Sequence, residues 1–202
     1  QDIWQTCVPE SIATEGWLGK VIRNIDPKSE NPITGVSFGK GLPRALSAKG
    51  VTVTSIDDLD NYGLMNKVQE QDYKEKALQT FQDMYAQAIG TGPVRDYLGE
   101  TGINVLKGAE ILKPVPAQYS SNVEYADNPI AKALRDVARV HLADMGTRVF
   151  YTQHGGYDTH ANQLANHPRL LTELSGAIMD FFQDLKDHNA SDNVLMLVFT
   201  EF

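Results

Sequence analysis

The last third of the chain alternates helical and strand patterns, and this alternation constrains the fold more than any other feature. After an Asn-Pro pair at 128–129, which is typical of a helix start, apolar residues recur at helical spacing over 130–141. A strand pattern follows at 148–152, then a second helical pattern that begins at His167-Pro168, then a continuous apolar run at 193–199. The order helix, strand, helix, strand predicts a parallel βαβ unit with a right-handed crossover. Near-continuous apolar runs suit strands that are covered on both faces.

The rest of the chain carries weaker patterns of both kinds. Strands are predicted at 35–38 and 51–56, helices at 14–22, 73–89 and 94–111, and a loop at 114–128. We therefore predict an α/β protein with a single domain over 1–202. Because the chain stops directly after an apolar strand pattern, we expect it to be a fragment of a longer chain.

Charge and composition exclude several classes of protein. Lys and Arg number 18 against 26 Asp and Glu, which gives a net charge of −8. A nucleic-acid binder would need a basic face to neutralise phosphates, so no nucleic-acid partner is predicted. No run of eighteen or more apolar residues occurs, and we predict no transmembrane segment. Cys7 is the only cysteine, so neither a disulfide framework nor a cysteine-based zinc site is predicted.

Two polar clusters follow the two predicted strands of the last third. One spans 154–160 and the other is Thr200-Glu201. Because sites in open α/β sheets form at the carboxyl ends of strands, the two clusters are predicted to converge. His154, Asp158, His160 and Glu201 supply two imidazoles and two carboxylates, a set that suits zinc, manganese or iron, whereas carboxylate-rich sites suit magnesium or calcium.

A purely structural interpretation of the same residues stays open. A histidine at a strand end is often simply hydrogen-bonded, and Asp158-Thr159 would also serve as a helix N-cap. His141, His167 and His188 are predicted to be structural rather than catalytic. The Gly35–Gly41 segment lacks the spacing of a P-loop, and no Gly-x-Ser-x-Gly elbow occurs.

The sequence over 150–163, Phe-Tyr-Thr-Gln-His-Gly-Gly-Tyr-Asp-Thr-His-Ala-Asn-Gln, resembles the signature of the DUF1501 family of bacterial exported proteins. In that family a Gly-Gly-aromatic-Asp-Thr-His loop precedes a leucine-rich helix and a strand ending in Ser-Glu-Phe-Gly-Arg. The matching parts here are the helix at 170–185 and the strand end at 199–202, with Thr200 in place of the usual serine. Residues 2–6 and 16–19 also match the family's pattern.

The resemblance implies more than the spacing does. The family is grouped with the alkaline phosphatase and sulfatase superfamily, which implies an αβα sandwich with a doubly wound, mostly parallel sheet, here incomplete at both ends. It implies that Asp158 and His160 are metal ligands with Glu201 close by, and that zinc is the expected metal. Many members carry a twin-arginine export signal, which implies a periplasmic or extracellular location.

Two functional hypotheses follow from this resemblance. The first is a metal-dependent hydrolase of phosphate or sulfate esters, acting on a small-molecule or glycan ester, in which His154 orients groups or donates a proton. No residue of this sequence is identified as the nucleophile. The second hypothesis is a non-catalytic envelope or surface binding protein on the same fold, because a shared fold does not settle function.

Overall fold

The computed structural model describes residues 2–10, 14–63 and 71–200. In this part of the chain, three short strands form a parallel sheet: β1 (Gly35–Phe38), β2 (Val53–Ile56) and β3 (Val149–Thr152). β1 lies in the middle, and its last residue is in register with the last residue of each neighbour. The carboxyl ends of all three strands therefore meet at one edge of the sheet. The prediction of an α/β protein with a parallel sheet is confirmed.

The helices of the described part precede β1, lie between β2 and β3, or follow β3. They are α1 (Asp2–Thr6), α2 (Trp17–Ile25), α3 (Gln71–Ala86), α4 (Pro93–Leu112), α5 (Val115–Gln118), α6 (Pro129–Leu142) and α7 (Gln163–Asp187). Short 3₁₀ turns lie at Arg44–Leu46 and Ser191–Asn193. Of these helices, none is long and apolar enough to cross a membrane.

Apolar side chains pack on both faces of the sheet. Val36, Phe38 and Ile56 belong to the larger cluster, which α6 and α7 cover. Alternate side chains of a strand point to opposite faces, and accordingly Tyr151 belongs to a second cluster with Ile22 of α2. Gly35 allows α2 to approach closely, since a Cβ there would lie 2.5 Å from the Ile22 Cδ1 atom. The sheet thus has helices on both faces.

The start of α6 confirms the prediction made from the Asn-Pro pair. The Asn128 side chain accepts a hydrogen bond from the backbone N–H of Ala131 at 2.9 Å, and Pro129 occupies the first helical position. This arrangement satisfies one of the free backbone donors of the first turn. α6 packs along α7, and together the two helices lie against β1 and β3.

The predicted start of α7 is wrong by several residues. The helix begins at Gln163, and Pro168 lies inside it. Asn162 precedes the helix in the left-handed region, at φ 55°, so the chain turns into the helix earlier than proline chemistry alone predicts. His167 therefore lies within the first two turns of α7. Leu171 is exposed, because the core-facing stripe of α7 runs through Leu170 and Phe181.

The predicted strand at 193–199 is not observed. A 3₁₀ turn occupies Ser191–Asn193, and residues 194–200 pair with no strand of the sheet. The segment keeps an alternating pattern, since Val194 and Met196 pack against the larger cluster whereas Leu195 is 95% exposed. An apolar run becomes a buried strand only when both of its faces are covered, and here one face is covered. The predicted βαβ unit is therefore formed only as far as α7.

Asp184 of α7 is a fully buried carboxylate with a complete set of partners. It accepts hydrogen bonds from the hydroxyls of Tyr119 at 2.5 Å, Ser121 at 2.6 Å and Tyr125 at 2.8 Å. Burial, followed by the hydrogen bond to Asp184, raises the pKa of Tyr119 to about 12. Both tyrosines therefore stay protonated donors, and the carboxylate ties the segment at 119–125 to α7.

His188, at the end of α7, completes this attachment. Its Nδ1 lies 2.8 Å from the backbone oxygen of Asp184 and its Nε2 lies 3.0 Å from the backbone oxygen of Ser120. Both neighbours are carbonyl oxygens, which only accept hydrogen bonds, so both ring nitrogens donate only when the imidazole is protonated. The pKa of His188 is raised by the hydrogen bond to Asp184 and by the charge of its carboxylate.

This geometry predicts a pH-dependent contribution to stability. The pKa of His188 is raised in the folded state above its ordinary 6.5, so the stabilisation is complete below about pH 6.5 and is lost as the pH rises through the raised value. We expect the free energy of unfolding to fall between pH 6 and pH 9, and this component of the fall to be missing in His188→Asn. Urea titrations of both proteins across that range measure it. Parallel pH profiles for the two proteins would contradict the assignment.

Candidate functional site

The loop between β3 and α7 lies at the carboxyl edge of the sheet. It runs over 153–162, and its glycine pair allows the chain to turn away from the strand. Gly156 has φ 93°, a conformation that other residues rarely adopt, whereas Gly155 does not need one. The loop holds three of the four predicted site residues. The fourth, Glu201, lies outside the described residues.

His154 is mostly buried and both of its ring nitrogens have partners. Nδ1 lies 2.9 Å from the hydroxyl of Tyr157, and Nε2 lies 3.5 Å from Oε2 of Glu173 on α7. The side chain of His154 is 11% exposed and that of Glu173 is 23% exposed. His154 is therefore engaged by protein groups on both sides of its ring.

Asp158 and His160 form a separate, exposed pair. Asp158 Oδ1 lies 3.0 Å from His160 Nε2, and both side chains are largely open to solvent. Two donors bound to one tetrahedral zinc at the usual bond lengths would lie about 3.3 Å apart. The observed separation matches that spacing closely, and it equally suits a hydrogen bond between the two groups. The structure thus brings this predicted pair together and keeps His154 in a different cluster.

The donors present agree with a metal site only in part. Within residues 2–10, 14–63 and 71–200, no three His, Cys, Asp or Glu side chains are grouped closely enough to hold an ion. Asp158 and His160 supply one oxygen and one nitrogen donor, which suit zinc or manganese. Between them, the Thr159 hydroxyl is shielded from solvent and has no hydrogen-bond partner in the described part of the chain. The pair fits as part of a ligand set.

Sequence analysis missed the residues of α7 that hold the loop. Glu173 lies beside His154, and Arg169, one helical turn earlier, forms an ion pair with Glu173. The hydroxyl of Tyr157 also lies 3.4 Å from the backbone oxygen of Leu170. The i, i+4 spacing of Arg169 and Glu173 is visible in the sequence, but it is typical of any exposed helix face.

The other strand ends do not add to this cluster. At the end of β2, Asp58 accepts hydrogen bonds from the backbone N–H groups of Asp60 and Asn61, at 3.0 and 3.2 Å. This carboxylate therefore closes its own turn. Asp60 is paired with Arg139 of α6 at 2.5 Å. His141 of α6 packs edge-on against Phe150, which agrees with the structural role predicted for it.

The sequence matches the model of one protein family over residues 5–202, nearly its whole length. That family is described as "Protein of unknown function (DUF1501)". No curated protein and no solved structure matches the chain significantly.

Proposed function

The chain belongs to the DUF1501 family, and from this premise we propose that it is a metal-dependent hydrolase of phosphate or sulfate esters. The proposal includes the finer fold, an alkaline-phosphatase-like αβα sandwich, with which the parallel sheet covered by helices on both faces is compatible. It also includes export to the periplasm or the cell surface. The family resemblance supports all three parts.

The observation that carries the proposal is the Asp158–His160 pair. Its donors lie 3.0 Å apart on an exposed loop at the carboxyl edge of a parallel sheet, where α/β proteins place their sites. Asp158 and His160 would hold a divalent ion, most simply zinc, with Glu201 as a third ligand or as a partner of the ligands. Such an ion polarises an ester oxygen and lowers the pKa of a bound water.

Of the two roles predicted for His154, the geometry favours orientation over proton donation. Both ring nitrogens are engaged, by Tyr157 and by Glu173, so neither is available to a substrate in this arrangement. The residues of this chain would therefore bind the ion and hold the loop. The net charge of −8 also gives an ester substrate little long-range attraction, which leaves recognition to the site itself.

Asp158→Ala tests the ligand assignment. Loss of partners of metal ligands typically costs 10- to 100-fold in affinity, so loss of a ligand is expected to weaken zinc binding by more than about 100-fold. Elemental analysis and zinc titration of the full-length protein measure the effect. Asp192→Ala, which removes an exposed carboxylate beyond α7, is the control and should bind zinc as the wild type does. Equal zinc content in wild type and Asp158→Ala would contradict the assignment.

A panel of phosphate and sulfate esters tests the reaction. Turnover by the zinc-loaded wild-type protein, with none by Asp158→Ala, is expected. A protein that binds zinc and a glycan tightly but turns over no ester would instead support the non-catalytic binding protein.

A further inference from the structure

We propose that Tyr157 and Glu173 are positioning residues, which hold the loop carrying Asp158 and His160 by clamping His154 between them. The loop-holding part stands on contacts within the chain. Its consequence for metal affinity rests on the proposed function. We call Tyr157, His154 and Glu173 the loop clamp.

The carboxylate of Glu173 favours one arrangement of protons on His154. Glu173 is a carboxylate and can only accept, so the Nε2 of a neutral His154 carries the hydrogen and faces Oε2 at 3.5 Å. Nδ1 is then an acceptor, and it receives the Tyr157 hydroxyl hydrogen at 2.9 Å. The chain of donors runs from Tyr157 through His154 to Glu173. The carboxylate of Glu173 thus sets the tautomer of the imidazole.

Tyr157 lies between two histidine rings. Its ring meets the His154 ring edge-on at 5.3 Å and the His167 ring at 5.9 Å, which places it between the end of β3 and the first turns of α7. The Tyr157 hydroxyl contacts His154 Nδ1 at 2.9 Å, and the Leu170 carbonyl is a more distant acceptor at 3.4 Å.

The clamp acts on the ligand pair through the backbone. Asp158 follows Tyr157 directly, and the Thr159 N–H donates to the Tyr157 carbonyl at 2.9 Å, closing a tight turn centred on Asp158. Asp158 and His160 are themselves exposed and contact mainly each other. On the far side of the clamp, Arg169 restrains Glu173 by an ion pair on the same helix. The partly buried loop clamp thus determines where the exposed pair lies.

Nitrogen-15 NMR of the His154 imidazole tests the clamp without any metal. The wild type should show the Nε2–H tautomer. Glu173→Leu removes the acceptor and should shift the tautomer balance, whereas Glu173→Gln keeps an acceptor oxygen and should restore it. Thr172→Val, a near-isosteric change on the exposed side of α7, is the matched control. An unchanged tautomer in Glu173→Leu, or an equal shift in Thr172→Val, would overturn the proposal.

Tyr157→Phe removes the hydroxyl and keeps the ring. Amide hydrogen exchange at 158–160 should become about 2- to 10-fold faster, the effect of losing one net hydrogen bond. Zinc affinity, measured with zinc alone, should fall about 10- to 100-fold, as when a partner of metal ligands is lost. Faster exchange with unchanged zinc affinity would overturn the positioning role. If the wild type bound no zinc, the proposed function would be contradicted instead. The tautomer and exchange results would still test whether the loop clamp holds the loop.

Discussion

Asp184→Ala should destabilise the protein by about 3–5 kcal/mol, because several hydroxyl donors lose their shared acceptor at once. The substitution removes the shared acceptor of Tyr119, Ser121 and Tyr125, and so leaves three hydroxyl donors in a region where the carboxylate itself is 0% exposed. A buried polar group without a partner costs about 1–3 kcal/mol. Urea-induced unfolding followed by circular dichroism measures the loss.

Graded variants separate this network from a generic loss of helix stability. Asp187→Ala removes an exposed carboxylate of the same helix and should change stability by less than about 0.5 kcal/mol. Tyr125→Phe removes one of three donors and should cost about 1 kcal/mol, because Asp184 keeps Tyr119 and Ser121. If Asp184→Ala and Asp187→Ala destabilised the protein equally, the network would have no special role.

Arg139→Ala should be of similar severity, at about 3–5 kcal/mol, because it breaks a buried ion pair from one side. The Arg139 side chain is 7% exposed and bonds Asp60 at 2.5 Å and Asp136 at 2.9 Å. It thereby ties the turn after β2 to α6. Burial raises the pKa of Asp136 in spite of Arg139, so this carboxylate would be the one left without compensation.

A second substitution tests that reason directly. Arg139→Met combined with Asp136→Leu removes both buried charges and should recover most of the lost stability, since a buried pair replaced by apolar groups is often neutral. Asp60 is half exposed and tolerates the loss of its partner. Arg148→Ala, an exposed arginine just before β3, is the control and should have little effect. A double variant as unstable as Arg139→Ala would contradict this account.

Much of the fold was predictable because its signals are local. The alternation of β-branched residues predicted β2, and the Asn-Pro pair with its helical spacing predicted α6, since capping and periodicity involve residues close in sequence. The predicted start of α7 was wrong because the chain turns at Asn162, in the left-handed conformation, and the helix begins before Pro168. The strand predicted at 193–199 was wrong, because a strand requires a neighbouring strand and no local pattern shows whether one is present.

Some residues of the candidate site were predictable from the sequence and others were not. The Asp158–His160 pair was predictable, because a glycine pair followed by metal-ligand side chains after a strand is chemically distinctive. The contact of Glu173 with His154 was not predictable, since a glutamate on a helix is most often exposed to solvent. The roles of Asp184 and Arg139 were also not predictable, because their sequence neighbours do not show that the two residues are buried.

Local sequence patterns were enough to predict the α/β class, strands at 35–38, 51–56 and 148–152, and a polar loop after the last of them. The packing of distant segments revealed which charges are buried and that His154 contacts protein groups on both sides. The reason is physical. Backbone preference and periodicity act between near neighbours, whereas burial and the pairing of charges depend on residues that meet across tens of positions, as Tyr119 and Asp184 do.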